Sequence, residues 1–218
     1  MKIKICGLTR PEEANFINDN NVDYAGFVFY EPSKRNLTID KAREIMQGLN
    51  SSVKKVAVLV SPDADTIRKL QELPFDILQI HKKLENDVLA TAKLPVWYAI
   101  NISDEEEADR KRQFVDELPD ELKAKIEAIV VDAPDFGSGK PFNWRKSRRM
   151  LKAGAQSPPE DTRMFVLAGG LNPDNVAEGI SLFNPDVVDV SSGVEGPQGK
   201  DREKIEAFCK AVRIAAEV

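Results

Sequence analysis

Residues 55–60 read KVAVLV and residues 128–132 read AIVVD, two nearly continuous apolar runs rich in valine. Runs of this length and composition are typical of strands that are buried on both faces, as in a parallel sheet. Six further runs of similar character flank them, at residues 2–6, 23–29, 76–80, 96–100, 164–168 and 186–190. The sequence therefore predicts eight strands.

Helix signals separate these runs. Thr9 and Glu12 have the spacing of a capping box, and Ser61 stands directly before a proline at a first helical position. In the last 18 residues, apolar side chains recur at helical spacing, at Ile205, Phe208, Cys209 and Val212. Eight strand–helix pairs within 218 residues favour the α/β class, as a single-domain (β/α)8 TIM barrel over residues 1–218.

The alternative architecture is an open, doubly wound sheet. Such a sheet often carries the dinucleotide fingerprint G-x-G-x-x-G after its first strand, and that pattern is absent here. The chain also shows no linker rich in glycine or serine that would divide it into two domains. We therefore prefer the barrel.

Composition narrows the range of partners. Lys and Arg number 31 and Asp and Glu number 36, giving a formal net charge of −5. An acidic chain without a long basic run is a poor candidate for binding nucleic acid or an anionic membrane. No apolar run approaches the roughly 18 residues that span a bilayer, and the first seven residues do not form a signal peptide. We expect a cytoplasmic protein.

Cysteine and histidine are scarce. Cys6 and Cys209 are the two cysteines, which is too few for a disulfide framework and fits a reducing compartment. His81 is the one histidine, so a site with several histidine ligands is excluded, and the presence of only two cysteines argues against a structural zinc site. We expect no metal.

Two strand ends offer proton-transfer groups. In a barrel, function gathers at the carboxyl ends of the strands. Cys6 ends the first run and Asp132 ends the sixth. A thiol can act as a base once its thiolate is stabilised, and a buried carboxyl can act as an acid. The alternatives are a small buried hydrophobe at Cys6 and an ordinary helix cap or loop-ordering residue at Asp132.

The last two strands run into loops of small residues. Gly169 and Gly170 follow the seventh run, and Ser191, Ser192 and Gly193 follow the eighth. Loops at these places present backbone N–H groups at helix starts, which is the usual phosphate site of barrel enzymes. Either loop alone would be an ordinary turn, but the pair predicts a phosphate site.

Other strand ends suggest substrate contacts. Arg35, after the second run, can bind a carboxylate with its fork, or it can be a surface arginine. His81 follows the fourth run and can line the pocket or simply hydrogen-bond a loop. Asp189 lies in the eighth run, where it either faces the interior or is a buried structural carboxylate. Gly137 and Gly139, after the sixth run, belong to a glycine-rich segment predicted to cover the substrate.

Short segments spread over almost the whole chain follow the pattern of one known family. In chain order they are KICGLT (4–9), AGFVFY (25–30) with SKR (33–35), LQIH (78–81), VD (131–132) with GSGK (137–140) and FNW (142–144), LAGGLNPDNV (167–176) and VDVSSGVE (188–195). With these segments the sequence resembles the phosphoribosylanthranilate isomerases of tryptophan biosynthesis.

The resemblance implies a (β/α)8 barrel with no metal or organic cofactor. It implies an aldose–ketose isomerase, an intramolecular oxidoreductase, that performs an Amadori rearrangement. N-(5-phosphoribosyl)anthranilate becomes 1-(2-carboxyphenylamino)-1-deoxyribulose 5-phosphate. By the same resemblance Cys6 is the general base, Asp132 is the general acid and Arg35 holds the anthranilate ring and its carboxylate. The Gly169–Gly170 and Ser191–Gly193 loops would hold the phosphate.

Two other functions remain open at this point. One is a different phosphosugar barrel, such as the related isomerase of histidine biosynthesis or a bifunctional relative. These resemble one another in using two aspartates, one of them at the end of the first strand, and Cys6 at that place argues against them. A phospho-ligand binding protein without catalysis would keep the same barrel. We favour the isomerase, and with it we expect a small-molecule phosphosugar–anthranilate substrate, no nucleic acid or membrane partner, and a monomer or homodimer.

Overall fold

The computed structural model describes residues 1–101, 105–132 and 163–217. Within them, eight parallel strands form a closed barrel in sequence order, with β8 pairing back onto β1. The strands are β1 Lys2–Cys6, β2 Tyr24–Phe29, β3 Lys54–Val60, β4 Ile77–His81, β5 Val96–Asn101, β6 Ile126–Asp132, β7 Met164–Leu167 and β8 Val187–Val190. The predicted barrel is therefore confirmed, and the open sheet is excluded.

Helices surround the barrel. They are α1 Glu13–Asp19, α2 Ile39–Gln47, α3 Ala64–Leu70, α4 Asn86–Thr91, α5 Glu105–Glu117, α6 Asp120–Lys123, α7 Val176–Phe183 and α8 Arg202–Ala216. The apolar face predicted for the last helix is buried, at Ile205, Phe208, Cys209 and Val212. In the part of the chain that is described, no helix is both long enough and apolar enough to cross a membrane.

Two helix starts differ from the sequence prediction. α1 begins at Glu13 rather than just after Thr9, and the buried Glu13 carboxylate accepts a hydrogen bond from the Thr9 N–H at 2.7 Å. α3 is capped by Asp63, whose side chain accepts from the Thr66 N–H, and not by Ser61. In both cases a carboxylate outside the predicted cap, Glu13 or Asp63, accepts a backbone N–H at the start of the helix.

Strand side chains alternate between two cores. One core fills the barrel interior, where Tyr24 and Trp97 pack edge to face with ring centroids 4.9 Å apart. The larger core lies between the barrel and its helices. Because side chains alternate along a strand, Cys6 and Lys4 share the inner face of β1. The interior therefore changes from apolar to polar toward the carboxyl ends of the strands, where the site lies.

A small antiparallel ribbon closes one side of this end. After β8, the chain makes a short 3-10 turn at Ser192–Val194 and then forms β9 Glu195–Gly196 and β10 Gly199–Lys200. The pairing places Glu195 opposite Lys200. Glu13 at the start of α1 accepts a hydrogen bond from the Lys200 N–H at 2.8 Å, so the ribbon is tied to the loop after β1.

Candidate active site

A cavity of about 490 Å³ opens at the carboxyl ends of the strands. Its lining includes nine of the residues predicted from the sequence, namely Cys6, Arg35, His81, Asp132, Gly169, Gly170, Asp189, Ser191 and Ser192. Gly193 does not line it, and Gly137 and Gly139 lie outside the described residues. A larger open groove of about 1550 Å³ lies at the amino ends of β5 and β6, away from these groups. The chemistry-bearing side chains thus meet in one cavity.

Cys6 is the last residue of β1, and its thiol lies close to β2. Its partner across the sheet is Gly26, where a Cβ atom would lie 2.9 Å from the Cys6 Sγ, so glycine makes room for the sulfur. Burial raises the pKa of the Cys6 thiol, and the charge of Asp189 adds to this, while the charges of Lys4 and Lys200 oppose it. At neutral pH the resting group is therefore a thiol.

Lys4 and Asp189 form a buried ion pair beside that thiol. They face each other across β1 and β8, with Lys4 Nζ 2.7 Å from Asp189 Oδ2. The Lys4 side chain is fully buried. Burial alone would lower the pKa of Lys4, but Asp189 and Cys6 raise it, so the ammonium is retained. Asp189 thus holds the Lys4 ammonium in a fixed position next to Cys6.

Two buried acceptors in the cavity have open hydrogen-bonding capacity. Among the described residues, no donor reaches Oδ1 of Asp189 or Oε1 of Gln79. Both side chains line the cavity and are more than nine-tenths buried. A buried acceptor left unbonded costs free energy, so each of these oxygens is suited to a ligand hydroxyl or amine.

His81 ends β4 and lies between Gln79 and Asp132. The Gln79 side-chain nitrogen is 2.8 Å from His81 Nε2, and His81 Nδ1 is 4.0 Å from Asp132 Oδ2. Burial, together with the charges of Lys4 and Lys111, lowers the pKa of His81 to about 3. A neutral imidazole whose Nε2 accepts from Gln79 carries its proton on Nδ1, the nitrogen nearer to the Asp132 carboxyl.

We expect the protein to lose stability as pH falls below 6.5, the ordinary pKa of histidine. The unfolded chain then binds a proton at His81 that the folded chain does not bind until pH is near 3. As pH decreases between those two values, His81 lowers the free energy of unfolding by up to about 1.4 kcal/mol per pH unit. Urea unfolding across this range should show a shallower pH dependence in His81→Asn. An equal dependence in both proteins would contradict the assignment.

Arg35 crosses the loop after β1. Gly7 has φ +82°, and a Cβ atom there would lie 2.4 Å from the Arg35 Cδ, so glycine is required both for the backbone and for the arginine stem. The guanidinium meets the Glu195 carboxylate with Nε 2.5 Å from Oε1 and Nη2 3.0 Å from Oε2. Arg35 is buried and lines the cavity, so it is not an ordinary surface arginine.

The two small-residue loops touch each other. Gly169 and Gly170 have φ values of +86° and +67°. A Cβ atom on Gly193 would lie 1.9 Å from the backbone oxygen of Leu171, so the loop after β8 packs directly on the loop after β7. Ser191 Oγ donates to the Cys6 backbone oxygen at 2.9 Å. The loops thus form one surface that continues to the backbone of Cys6.

A family model described as N-(5'-phosphoribosyl)anthranilate (PRA) isomerase matches residues 3–211. The chain belongs to the phosphoribosylanthranilate isomerase family. Among its relatives in this family, the enzyme of Thermoanaerobacter pseudethanolicus is 36% identical over 219 residues, covering 98% of each chain.

Solved structures agree with this family assignment. A phosphoribosylanthranilate isomerase in complex with reduced 1-(o-carboxyphenylamino)-1-deoxyribulose 5-phosphate matches with a TM-score of 0.78 and 29% identity, covering 98% of both chains. Monomers generated from the dimeric phosphoribosylanthranilate isomerase of Thermotoga maritima match with a TM-score of 0.75 and 29% identity, again over 98% of both chains.

Sequence reasoning missed several groups that line or support this phosphoribosylanthranilate isomerase site. They are Lys4, Gly26, Gln79, Glu195 and Lys200. Lys4 and Gln79 each lie two residues before a predicted site residue, so the period of two along a strand was a usable signal for both. Glu195 and Lys200 gave no such signal, because their contacts depend on how the ribbon folds back.

Proposed function

We propose that the chain carries out its reaction by general acid–base catalysis, with Cys6 as the base and Asp132 as the acid. The reaction is the rearrangement of N-(5'-phosphoribosyl)anthranilate to 1-(2-carboxyphenylamino)-1-deoxyribulose 5-phosphate, an aldose–ketose isomerisation in tryptophan biosynthesis. The observation that supports these roles is the single cavity lined by both groups together with Arg35 and the two small-residue loops.

The first step opens the ribose ring. The Asp132 carboxyl protonates the ring oxygen while the anthranilate nitrogen donates its lone pair to C1′, so the C1′–O bond breaks and an iminium forms. The neutral His81 imidazole lies beside this carboxyl, with its Nδ1 4.0 Å from Asp132 Oδ2.

The second step removes a proton from C2′. The iminium withdraws electrons and makes this proton acidic. The Cys6 thiolate, formed when the thiol loses its own proton to solvent, accepts the C2′ proton and gives an enolamine that tautomerises to the ketone. The resting thiol has a raised pKa, but the positive charge of the iminium and of Lys4 favours the thiolate at the moment it is needed. Both steps move only protons between substrate and side chains, so they require no cofactor.

Binding groups hold the ribose between acid and base. We assign the anthranilate carboxylate to Arg35, the phosphate to the Gly169–Gly170 and Ser191–Gly193 loops, and ribose hydroxyls to the open oxygens of Gln79 and Asp189. Fixing both ends of a substrate in this way can supply several kcal/mol, about 7–11 in the best-oriented cases.

A fluorescence time course on freshly made phosphoribosylanthranilate tests the proposed function. A catalyst changes the anthranilate fluorescence with time at a rate proportional to protein concentration. A phospho-ligand binding protein would give an immediate shift of stoichiometric size and no further change. That second result would refute the proposal.

We expect Gly193→Ala to weaken phosphate binding by about tenfold or more, because a methyl group 1.9 Å from the Leu171 oxygen must push the two loops apart. The same overpacking should cost about 1–3 kcal/mol of stability. Inhibition by inorganic phosphate and by anthranilate, measured in the same assay, separates the two ends of the site. Unchanged phosphate inhibition would exclude this loop pair as the phosphate site, and unchanged anthranilate inhibition is the internal control.

We infer that the chain works in the cytoplasm on this small-molecule substrate, as a monomer or a homodimer. The Thermotoga maritima relative is described as dimeric, which supports the second form. Sedimentation of the purified chain over a range of concentrations distinguishes the two. A mass above that of a dimer would contradict both.

A further inference from the structure

Glu195 forms ion pairs with three cations at the edge of the cavity. Its Oε1 accepts from Arg35 Nε at 2.5 Å and from Lys200 Nζ at 2.9 Å. Its Oε2 accepts from Arg35 Nη2 at 3.0 Å and from Lys34 Nζ at 2.9 Å. Lys34 is largely exposed, whereas the Lys200 side chain is fully buried. One carboxylate therefore organises both a substrate-binding arginine and a buried lysine.

Glu195 engages only one side of the guanidinium. Its two oxygens take the Nε hydrogen and one Nη2 hydrogen, and a guanidinium has five N–H donors. The Nη1 nitrogen and the second Nη2 hydrogen are not used by Glu195. Those remaining donors form the opposite edge of the fork, which matches a second carboxylate in bidentate geometry. The three cations around Glu195 also carry more positive charge than its single carboxylate neutralises, and this net positive charge attracts a second carboxylate.

Glu195 is itself held rigidly. It pairs with Lys200 across the β9–β10 ribbon, and Lys200 Nζ also donates to the Ser191 backbone oxygen at 3.1 Å. Burial would raise the pKa of Glu195, but hydrogen bonds from Arg35 and Lys200 and the charge of Lys200 hold it well below the usual range. The carboxylate is therefore ionised and fixed by the same loop that we assign to the phosphate.

We propose that Glu195 is a positioning residue that sets the orientation of Arg35 and thereby the preference of the site for a carboxylated aromatic ring. This inference rests on the proposed role of Arg35. A free arginine side chain loses much of its conformational entropy when it binds a ligand. Glu195 holds the guanidinium in place before the substrate binds, so substrate binding does not have to restrict the arginine side chain. Preorganisation of this kind raises affinity without any new substrate contact.

The experiment compares two probes. The first is reduced 1-(o-carboxyphenylamino)-1-deoxyribulose 5-phosphate, which a solved relative binds. The second is its counterpart with a plain phenyl ring. Calorimetry gives both dissociation constants for the wild type, Glu195→Gln, Arg35→Met and Glu44→Gln. Glu44→Gln is a matched change in an exposed ion pair with Lys41, outside the cavity.

We expect Glu195→Gln to weaken binding of the carboxylated probe by about tenfold and binding of the phenyl probe by less than about twofold. The glutamine amide has one oxygen and cannot accept from both guanidinium nitrogens as the carboxylate does. Glu44→Gln should change neither. If Glu195→Gln weakens both probes equally, Glu195 is merely structural and the inference is wrong. If Arg35→Met shows no loss specific to the carboxylated probe, the proposed role of Arg35 fails first, and the inference falls with it.

Glu195→Asp keeps the test decisive if Glu195→Gln does not fold. The aspartate retains the charge that Lys200 requires but draws the carboxylate back by one methylene from the guanidinium. We expect the same selective loss for the carboxylated probe, smaller than in Arg35→Met. An unchanged ratio of the two dissociation constants would overturn the inference.

Discussion

Cys6→Ala should lower kcat by about 10²–10⁴-fold, the usual contribution of a general base. Cys6 is the last residue of β1 and lines the cavity, so the substitution removes the proposed acceptor of the C2′ proton. The carboxylate and phosphate contacts that we assign lie elsewhere in the cavity, so the dissociation constant of the product analogue should change little. Stopped-flow or steady-state fluorescence gives the rate, and calorimetry gives the affinity.

Cys209→Ala is the matched control for that experiment. Cys209 is buried on α8, outside the cavity, and burial raises its pKa to about 11. We expect it to keep turnover and to lose only packing energy. In the wild type, kcat/KM should still rise with pH above neutrality, because the pKa of Cys6 lies above its ordinary value of 9.0 and the base must be deprotonated. Near wild-type turnover in Cys6→Ala would refute the mechanism.

The barrel was predictable because its signal is repeated. Eight apolar runs each carry the composition of a buried strand, and an error in one boundary does not alter the count. Strand ends then place Cys6 and Asp132 at the same rim, since parallel strands bring all their carboxyl ends together. For the same reason, nine predicted residues line one cavity although they are spread from Cys6 to Ser192 along the chain.

Contacts between distant loops were not predictable. Arg35 and Glu195 are 160 positions apart, and the sequence around each one offers several other charged partners. The Lys4–Asp189 pair depends on the register in which β8 meets β1, which only closure of the barrel fixes. Glu13 shows the same limit at short range, since its carboxylate serves both Thr9 and Lys200. A capping pattern in the local sequence cannot indicate Lys200, because that residue lies 187 positions away along the chain.

Asp132→Asn should also lower kcat by about 10²–10⁴-fold, because an amide of the same shape cannot protonate the ring oxygen. The substitution keeps the size of the side chain at the end of β6 and so should leave the fold intact. We expect the product analogue, whose ring is already open, to bind with nearly wild-type affinity. A pre-steady-state experiment should show no enolamine accumulating, since ring opening precedes removal of the C2′ proton.

Glu127→Gln provides the comparison on the same strand. Glu127 lies near the other end of β6 and accepts a hydrogen bond from Trp97 Nε1 at 3.0 Å, outside the cavity. Loss of one carboxylate charge there should leave kcat unchanged. Because the acid acts before the base, Asp132→Asn and Cys6→Ala combined should lower kcat by far less than the product of their separate effects. Multiplicative losses would mean that the two groups act independently, which a sequence of coupled proton transfers on one sugar does not allow.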